Sequence, residues 1–265
     1  MANPMYRQIA EELRGQIESG GLAPGSQLPT ELELRESYNA SRNTVRDAIK
    51  WLTSLGLVAT RPGQGTFVVE TIDPFVTTLS GDPETGFGGG EGTSYLSEVS
   101  ERNRKPTTGD LQIEIQKAAP DIAQKLEKPH GTVVVGRHER RFIDGTPWSM
   151  QTSFYPIEFV DRGAVRLVRP DNIEEGTVRY LADTLHIRQG GYRDWLIVRA
   201  PDANETDFFR LPPDGRTPII EISRTAFDGN KEPMRVTVTV YPADRNQFIF
   251  DFGHVPGQKT GDVPR

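Results

Sequence analysis

The sequence predicts an α+β chain: three N-terminal helices closed by a hairpin, then a larger part of mixed helices and strands built on an antiparallel sheet. Three observations predict it. Helix caps stand at Thr30, with Glu33 three residues on, and at Ser41. A glycine-marked tip, Arg61-Pro62-Gly63-Gln64-Gly65-Thr66, separates two short β-prone runs. Beyond Thr93, alternating apolar and polar residues take over from the helical period, as in Leu111, Ile113 and Ile115.

The first helix spans about Met5 to Ser19, with Tyr6, Ile9, Ala10, Leu13 and Ile17 at core spacing, and Gly20-Gly21 and Pro24-Gly25 end it. Thr30 opens the second helix through a capping box. After Tyr38-Asn39-Ala40, Ser41 caps a third helix, Arg42 to Leu55, and Gly56 supplies a left-handed stop. Val45, Ala48, Ile49, Leu52 and Leu55 form its apolar stripe. Arg42, Asn43, Thr44, Arg46 and Lys50 stay outside the stripe, toward the N-terminal half. Leu57 to Val69 then reads as strand, glycine turn and strand. Two helices joined by a short turn and followed by such a wing predict a winged helix-turn-helix, whose third helix offers its N-terminal half to the major groove of DNA. Arg61 beside the tip suits a phosphate or the minor groove.

Composition sets bounds. At 265 residues the chain suits two modest domains. It has no cysteine, which excludes disulfide staples and thiol chemistry and fits a reducing cytoplasm. No apolar run reaches membrane-spanning length, and no signal peptide opens the chain. The net charge of −6 does not by itself suggest DNA. Residues 1–70 hold seven basic side chains (Arg7, Arg14, Arg35, Arg42, Arg46, Lys50, Arg61) against eight acidic ones (Glu11, Glu12, Glu18, Glu31, Glu33, Glu36, Asp47, Glu70). Five of the seven lie between Arg35 and Arg61, so the expected basic face is local.

Residues 71–92 carry little pattern and end in Gly86-Phe87-Gly88-Gly89-Gly90-Glu91-Gly92, which reads as a linker. No Lys-Ser/Thr follows, so this is no phosphate loop. From 93 to 253 the expected elements are a strand at Leu111–Ile115, a helix at Pro120–Leu126, strands at Thr132–Ile143 and Trp148–Tyr155 turning at Asp144-Gly145, and a helix at Thr177–Leu185. Strands at Gly191–Val198, Ile219–Phe227, Met234–Tyr241 and Phe248–Phe252 follow. Trp148 and Trp195, on alternating strands, read as core, and Trp51 packs beside the stripe of the third helix. Residues 254–265 read as a disordered tail.

Residues 5–69 resemble the winged-helix domain of the GntR family of bacterial transcription regulators. The matching pieces are Met5-Tyr6-Arg7-Gln8-Ile9, Leu22-Ala23-Pro24-Gly25, Leu28-Pro29-Thr30-Glu31, Ser41-Arg42-Asn43-Thr44-Val45-Arg46-Asp47-Ala48 and Gly63-Gln64-Gly65-Thr66-Phe67-Val68. The resemblance implies that Arg42, Thr44 and Arg46 contact an operator and that the tip Gly63–Gly65, with Gln64, enters the minor groove. Many members carry an arginine where this chain has Leu32, and Arg35, one turn later, is the candidate replacement. Asn43, Lys50 and Arg61 complete the expected DNA-binding set.

Residues 93–253 resemble the UTRA effector-sensing domain of the HutC-like branch, whose α/β fold is similar to chorismate lyase. The matches are Arg141-Phe142-Ile143-Asp144-Gly145-Thr146-Pro147, Ser153-Phe154-Tyr155-Pro156, Gly176-Thr177, Arg224-Thr225-Ala226-Phe227-Asp228 with Pro233, and Tyr241 with Asp244-Arg245. Alternation along the strand before Asp144 puts Arg137, Glu139 and Arg141 on one face, where solvation and ligand binding both remain open. In the resembled family an arginine near this turn and a serine at the helix start hold a negatively charged effector group; Arg141 and Thr177 match, with Ser94 a third candidate. Members that bind phosphorylated amino sugars place glutamates where this chain has Gln151 and Arg235, which points to a different anionic metabolite. The expected effector set is Ser94, Arg137, Arg141, Gln151, Thr177, Arg235 and Tyr241.

The alternative is an enzyme of the chorismate-lyase-like fold fused to a winged helix. His130, His138, His186 and His254 lie far apart without zinc spacing, and no paired carboxylates stand out, so no catalytic residue, metal or cofactor is expected. The expected protein is a cytoplasmic, nucleoid-associated bacterial repressor. It binds an inverted-repeat operator as a homodimer and is released by a small anion.

Overall fold

The computed structural model describes residues 4–69, 72, 74–79, 81–82, 86–87, 92–212 and 215–250. The expected tail, 254–265, lies outside them. The chain divides into two compact units, Met1–Asp73 and Pro74–Arg265.

The first unit holds α1 (Met5–Glu18), α2 (Glu31–Tyr38), α3 (Arg42–Ser54), β1 (Val58–Arg61) and β2 (Gly65–Val68). Its caps form as the sequence predicts. The Thr30 hydroxyl accepts the Glu33 N–H at 3.3 Å, while the Glu33 carboxylate accepts the Thr30 N–H at 2.7 Å. That backbone donor, aided by the Thr30 hydroxyl, holds the Glu33 carboxyl below its ordinary pKa. Ser41 accepts the Thr44 N–H at 3.2 Å. At the far end of α3, Gly56 adopts φ +72°, and the N–H groups of Gly56 and Leu57 donate to Thr53 and Leu52 at 3.0 and 3.1 Å. This is a Schellman closure. Ile9, Ala10, Leu13, Leu34, Val45, Ala48, Leu52, Val58 and Val68 form one core. Leu55, counted in the stripe, is the C-cap residue and 46% exposed.

β1 and β2 form an antiparallel hairpin, with Val58 opposite Val68 and Arg61 opposite Gly65. The chain before α2 adds a third line of pairing that sequence pattern does not reveal. Gly25 N–H donates to Val68 O at 3.0 Å, Val68 N–H to Ser26 O at 2.8 Å, and Leu28 N–H to Thr66 O at 2.7 Å.

The second unit begins with β3 (Phe75–Thr78), β4 (Gly81–Asp82), β5 (Gly86–Phe87), α4 (Gly92–Glu101), β6 (Pro106–Thr108), β7 (Gln112–Lys117) and α5 (Pro120–Lys125). It continues with β8 (Val133–Ile143), β9 (Thr146–Pro156), α6 (Glu158–Asp161), a 3-10 turn (Val165–Val168), α7 (Thr177–Leu185) and β10 (Gln189–Arg199). Last come α8 (Ala203–Phe208), β11 (Ile219–Asp228), β12 (Pro233–Pro242) and β13 (Asn246–Ile249). The main sheet is antiparallel in the order β10–β11–β12–β9–β8–β6, and β7 also pairs with β8.

One sheet face packs Val135, Tyr155 and Ala226 against α6, the 3-10 turn and α7 through Phe159, Leu167 and Leu181. The other face meets α5 through Ile122, Ala123 and Val134, and α8 through Phe208, Ile219 and Val240. β8 and β9 turn at Asp144 and Gly145, both at positive φ, +52° and +77°. This is the turn conformation an Asp-Gly pair favours. The Asp144 carboxylate accepts the Lys105 N–H at 2.8 Å and the Arg104 guanidinium at 2.7 Å, which hold its pKa down in that order.

Two expectations are corrected. Residues 74–79, read as linker, belong to the second unit. β3 runs parallel to β13, and Phe75, Val76 and Leu79 are buried. Phe75 meets Trp148 edge to face at 5.9 Å, and the Thr78 N–H donates to Glu98 of α4 at 2.9 Å. The segment is too short for a period to show, and its partner lies some 170 residues away in sequence. Trp195, read as core, is exposed because β10 is an edge strand, whereas Trp148 is buried as expected.

Phe75→Ala is expected to destabilise the second unit by about 3–5 kcal/mol. Urea unfolding followed by the near-ultraviolet signal of Trp148 measures it; an unchanged midpoint would return the segment to a linker.

Candidate functional site

The first unit presents α3 with Arg42, Asn43, Arg46 and Lys50 exposed and Thr44 half-buried. Both arginines expected to contact DNA are drawn to one carboxylate: Arg42 and Arg46 each lie 3.4 Å from Glu31, the first residue of α2. Lys50 sits 3.6 Å from Asp47. These exposed pairs are weak and exchangeable, so DNA phosphates and base edges can compete for the same guanidiniums. Arg35 is exposed one turn from Leu32, which is itself 59% exposed.

The wing tip is held by a residue that sequence pattern did not single out. The Gln27 side-chain amide donates to Gln64 O at 2.9 Å. Gly65, at φ +120°, comes so close to Gln27 that an added Cβ would overlap the amide nitrogen at 2.3 Å. Arg61 lies over the Phe67 ring at 4.5 Å, which orients its guanidinium along the hairpin.

In the second unit one sheet face carries a buried polar network. Arg141, 1% exposed, donates to Glu139 and to Gln151, both at 2.5 Å, and stacks on the Tyr95 ring at 4.9 Å. The Gln151 amide continues to Thr239 at 3.0 Å. Two strands over, Arg224 and Asp194 form a two-pronged pair at 2.7 and 2.6 Å, with the Tyr192 ring 3.8 Å from the guanidinium. Arg235 donates to Gln189 at 3.3 Å. The Tyr95 phenol donates to Phe142 O at 2.9 Å, and burial pushes its pKa well up, so it stays protonated. Tyr241 is buried and packs edge to face on Phe248 at 5.0 Å.

The structure thus brings Arg141 and Gln151 together and buries Arg235 and Tyr241 on the same sheet. Thr177 is half-buried at the start of α7, which packs on that face; Gly176, its N-cap at φ +81°, provides no side-chain cap. Ser94 lies in α4, and its side chain is outside the described residues. Arg137 has a different occupation. Its guanidinium donates to the carbonyls of Arg166, Leu167, Arg169 and Asp171 at 2.9–3.2 Å. It pins the chain between α6 and α7, leaving little capacity for a ligand, and burial lowers its pKa. Sequence reasoning missed Tyr95, Thr239, Asp194 and Arg224 as members of this network. The alternation along β8 groups Glu139 with Arg141 beforehand, and the family resemblance already sets Arg141 and Gln151 in one expected effector set.

A separate recess of about 610 Å³ is lined by Leu126, Lys128, Phe159, His186, Asp228 and Met234, among others. It contains none of the expected effector residues, and Lys128 is already paired with Glu158 at 2.8 Å. The polar sheet face, with its converging buried donors and acceptors, is the better candidate. Among the described residues no cluster of His, Asp or Glu could hold a metal ion, and no helix is long and apolar enough to cross a membrane.

Comparison with known proteins agrees with this division. Residues 5–68 match the bacterial regulatory proteins of the gntR family, and residues 101–247 match the UTRA domain. The chain is 24% identical over 247 residues to the HTH-type transcriptional regulator GgaR of Escherichia coli (strain K12), covering 93% of this chain and 90% of that one. It is 24% identical over 246 residues to the HTH-type transcriptional repressor NagR of Bacillus subtilis (strain 168), covering 93% of each. The crystal structure of PhnF from Mycobacterium smegmatis superposes with a TM-score of 0.56 at 21% identity, over 92% of this chain and 99% of that one, a likeness of fold.

Arg137→Lys is expected to cost about 1–3 kcal/mol of stability, since an ammonium cannot reach four carbonyls fixed by a planar fork. Unchanged stability with a lost effector response would assign Arg137 to the ligand instead.

Proposed function

Since the chain belongs to the GntR family of bacterial transcription regulators and carries a UTRA effector domain, we propose that it is a homodimeric repressor released from an inverted-repeat operator by a small anionic metabolite. That it is a transcriptional regulator with a DNA-binding and an effector domain follows from the family; its relatives are regulators, not enzymes. The sign of control, the dimer and the anion are the proposal.

The observation that carries the DNA half is the exposed face of α3, where Arg42 and Arg46 share Glu31 and stand free to exchange it for DNA. A homodimer presents two such helices, one per half-site, so the operator repeats the protein's two-fold symmetry. Arg42, Asn43, Thr44 and Arg46 serve the major groove; Arg35, Lys50 and Arg61 serve phosphates; the tip Gly63-Gln64-Gly65 serves the minor groove.

The anionic effector is supported by charge on the polar face. Among the described residues, four guanidiniums (Arg137, Arg141, Arg224, Arg235) share that face, with the carboxylates of Glu139 and Asp194 beside two of them. An anion settling beside Arg141 and Arg235, with Gln151, Tyr241, Ser94 and the start of α7 at Thr177 as hydrogen-bonding partners, meets guanidiniums and hydrogen-bond donors together. Effector binding shifts the DNA-competent population only by its differential affinity for the two states.

Arg46→Ala is expected to lose about 1–3 kcal/mol of operator affinity if it reads a guanine, measured by fluorescence anisotropy at fixed salt. A change confined to the salt slope would mark a phosphate contact. Thr177→Ala is expected to leave operator affinity in place and abolish release by the anion that calorimetry selects from phosphorylated and carboxylated metabolites. Binding only of neutral or cationic molecules contradicts the anionic reading.

A further inference from the structure

On α2 one side chain departs from the polar surface around it. Leu32 is 59% exposed, the most exposed large apolar side chain of the first unit among the described residues. A lone exposed leucine is ordinary on a protein surface, so its place is what decides. At about 3.6 residues per turn, Leu32 and Arg35 fall on one flank of α2 with Glu31, and buried Leu34 lies nearly opposite Leu32. Glu31 marks what that flank adjoins, since its carboxylate lies 3.4 Å from both Arg42 and Arg46 on α3. Leu55, the other exposed leucine of this unit, sits at the far end of α3.

We propose that Leu32 reads a thymine: its side chain meets the C5-methyl group of that base in the major groove, beside the bases that Arg42 and Arg46 contact. The proposal rests on the DNA-binding reading of α3 and adds one determinant of which sequence is bound. An all-carbon side chain can neither donate to a phosphate nor pair with a donor or acceptor on a base edge. In unmodified DNA the one apolar feature of a major-groove base edge is the thymine methyl. Against any other base, Leu32 covers a polar edge without hydrogen-bonding it, which costs free energy. Against thymine, apolar surface of both partners leaves water.

The backbone of Leu32 is held for this role. It lies inside the turn closed by the capping box, where the Thr30 hydroxyl accepts the Glu33 N–H and the Glu33 carboxylate accepts the Thr30 N–H. Glu31 is engaged by the two arginines, Glu33 by the cap and Leu34 by the core. That leaves Leu32 as the side chain of this first turn that faces outward uncommitted. Its lack of charge also separates it from Arg35, which shares the flank and can take a phosphate.

Uracil differs from thymine only by that methyl, which makes the test direct. In the operator that the full chain selects from a random double-stranded library, uracil replaces each thymine of one half-site in turn, and affinity is measured by fluorescence anisotropy. The wild-type chain is expected to lose affinity about fourfold at one of these positions, as one buried methyl group implies. Leu32→Ala is expected to bind the thymine operator more weakly, to be indifferent to uracil at that position, and to keep its salt slope, since no phosphate contact is lost. Its circular dichroism spectrum is expected to stay unchanged, because the side chain is on the surface. Three results overturn the thymine assignment alone: Leu32→Ala binding as tightly as the wild type, uracil sensitivity that survives in Leu32→Ala, or a weakened Leu32→Ala whose loss no uracil substitution reproduces in the wild type. Failure of the folded chain to select any sequence, with or without bound anions, overturns the DNA-binding reading together with it.

Discussion

A guanidinium removed from water must be met by hydrogen-bond acceptors and negative charge, and the second unit is organised around that requirement. Arg141 is almost fully buried between Glu139, Gln151 and the Tyr95 ring. To hold them there, β8 must keep its alternation, β9 must stay in register so that Gln151 faces Glu139, and α4 must bring Tyr95 over the sheet. Arg224 with Asp194 and Arg137 with four loop carbonyls repeat the arrangement across the same face. An apolar core would have stabilised this sheet without such demands. A sheet face that retains charge at this cost is the basis of the proposed anionic effector site.

The first unit solves the opposite problem. Its arginines must be available, so its own carboxylates hold them loosely. Glu31 reaches Arg42 and Arg46 at distances where exposed ion pairs contribute at most about 1 kcal/mol. Rigidity comes instead from the backbone: two side-chain caps, a Schellman closure at Gly56, and the Gln27 amide that fastens the wing tip. Helix α3, the proposed reading helix, is fixed in place while its exposed side chains can be redirected.

Much of this was legible in the sequence, for identifiable reasons. Thr30, Glu33, Ser41 and Gly56 act within one helical turn, so spacing alone places them. The Asp144-Gly145 turn is equally local. What escaped was long-range. β3 finds its parallel partner only in β13, and Asp194 meets Arg224 only because β10 and β11 come together across thirty residues. Arg137 shows the same limit from another side. Its place on the strand face was readable, but the loop that occupies it was not, because carbonyls leave no residue-type signature. Trp195 alternates as a core residue does; only the strand order reveals that it stands on an edge.

The central claim is that two copies of one reading helix recognise a symmetric operator. The most direct measurement is selection of bound sequences by the full chain from a random double-stranded DNA library at near-physiological salt. The account predicts enrichment of an inverted repeat whose half-sites are spaced by about one helical turn or a multiple of it. Enrichment of a single unrepeated site, or of no sequence by folded protein both with and without the anions that calorimetry finds to bind, would contradict it.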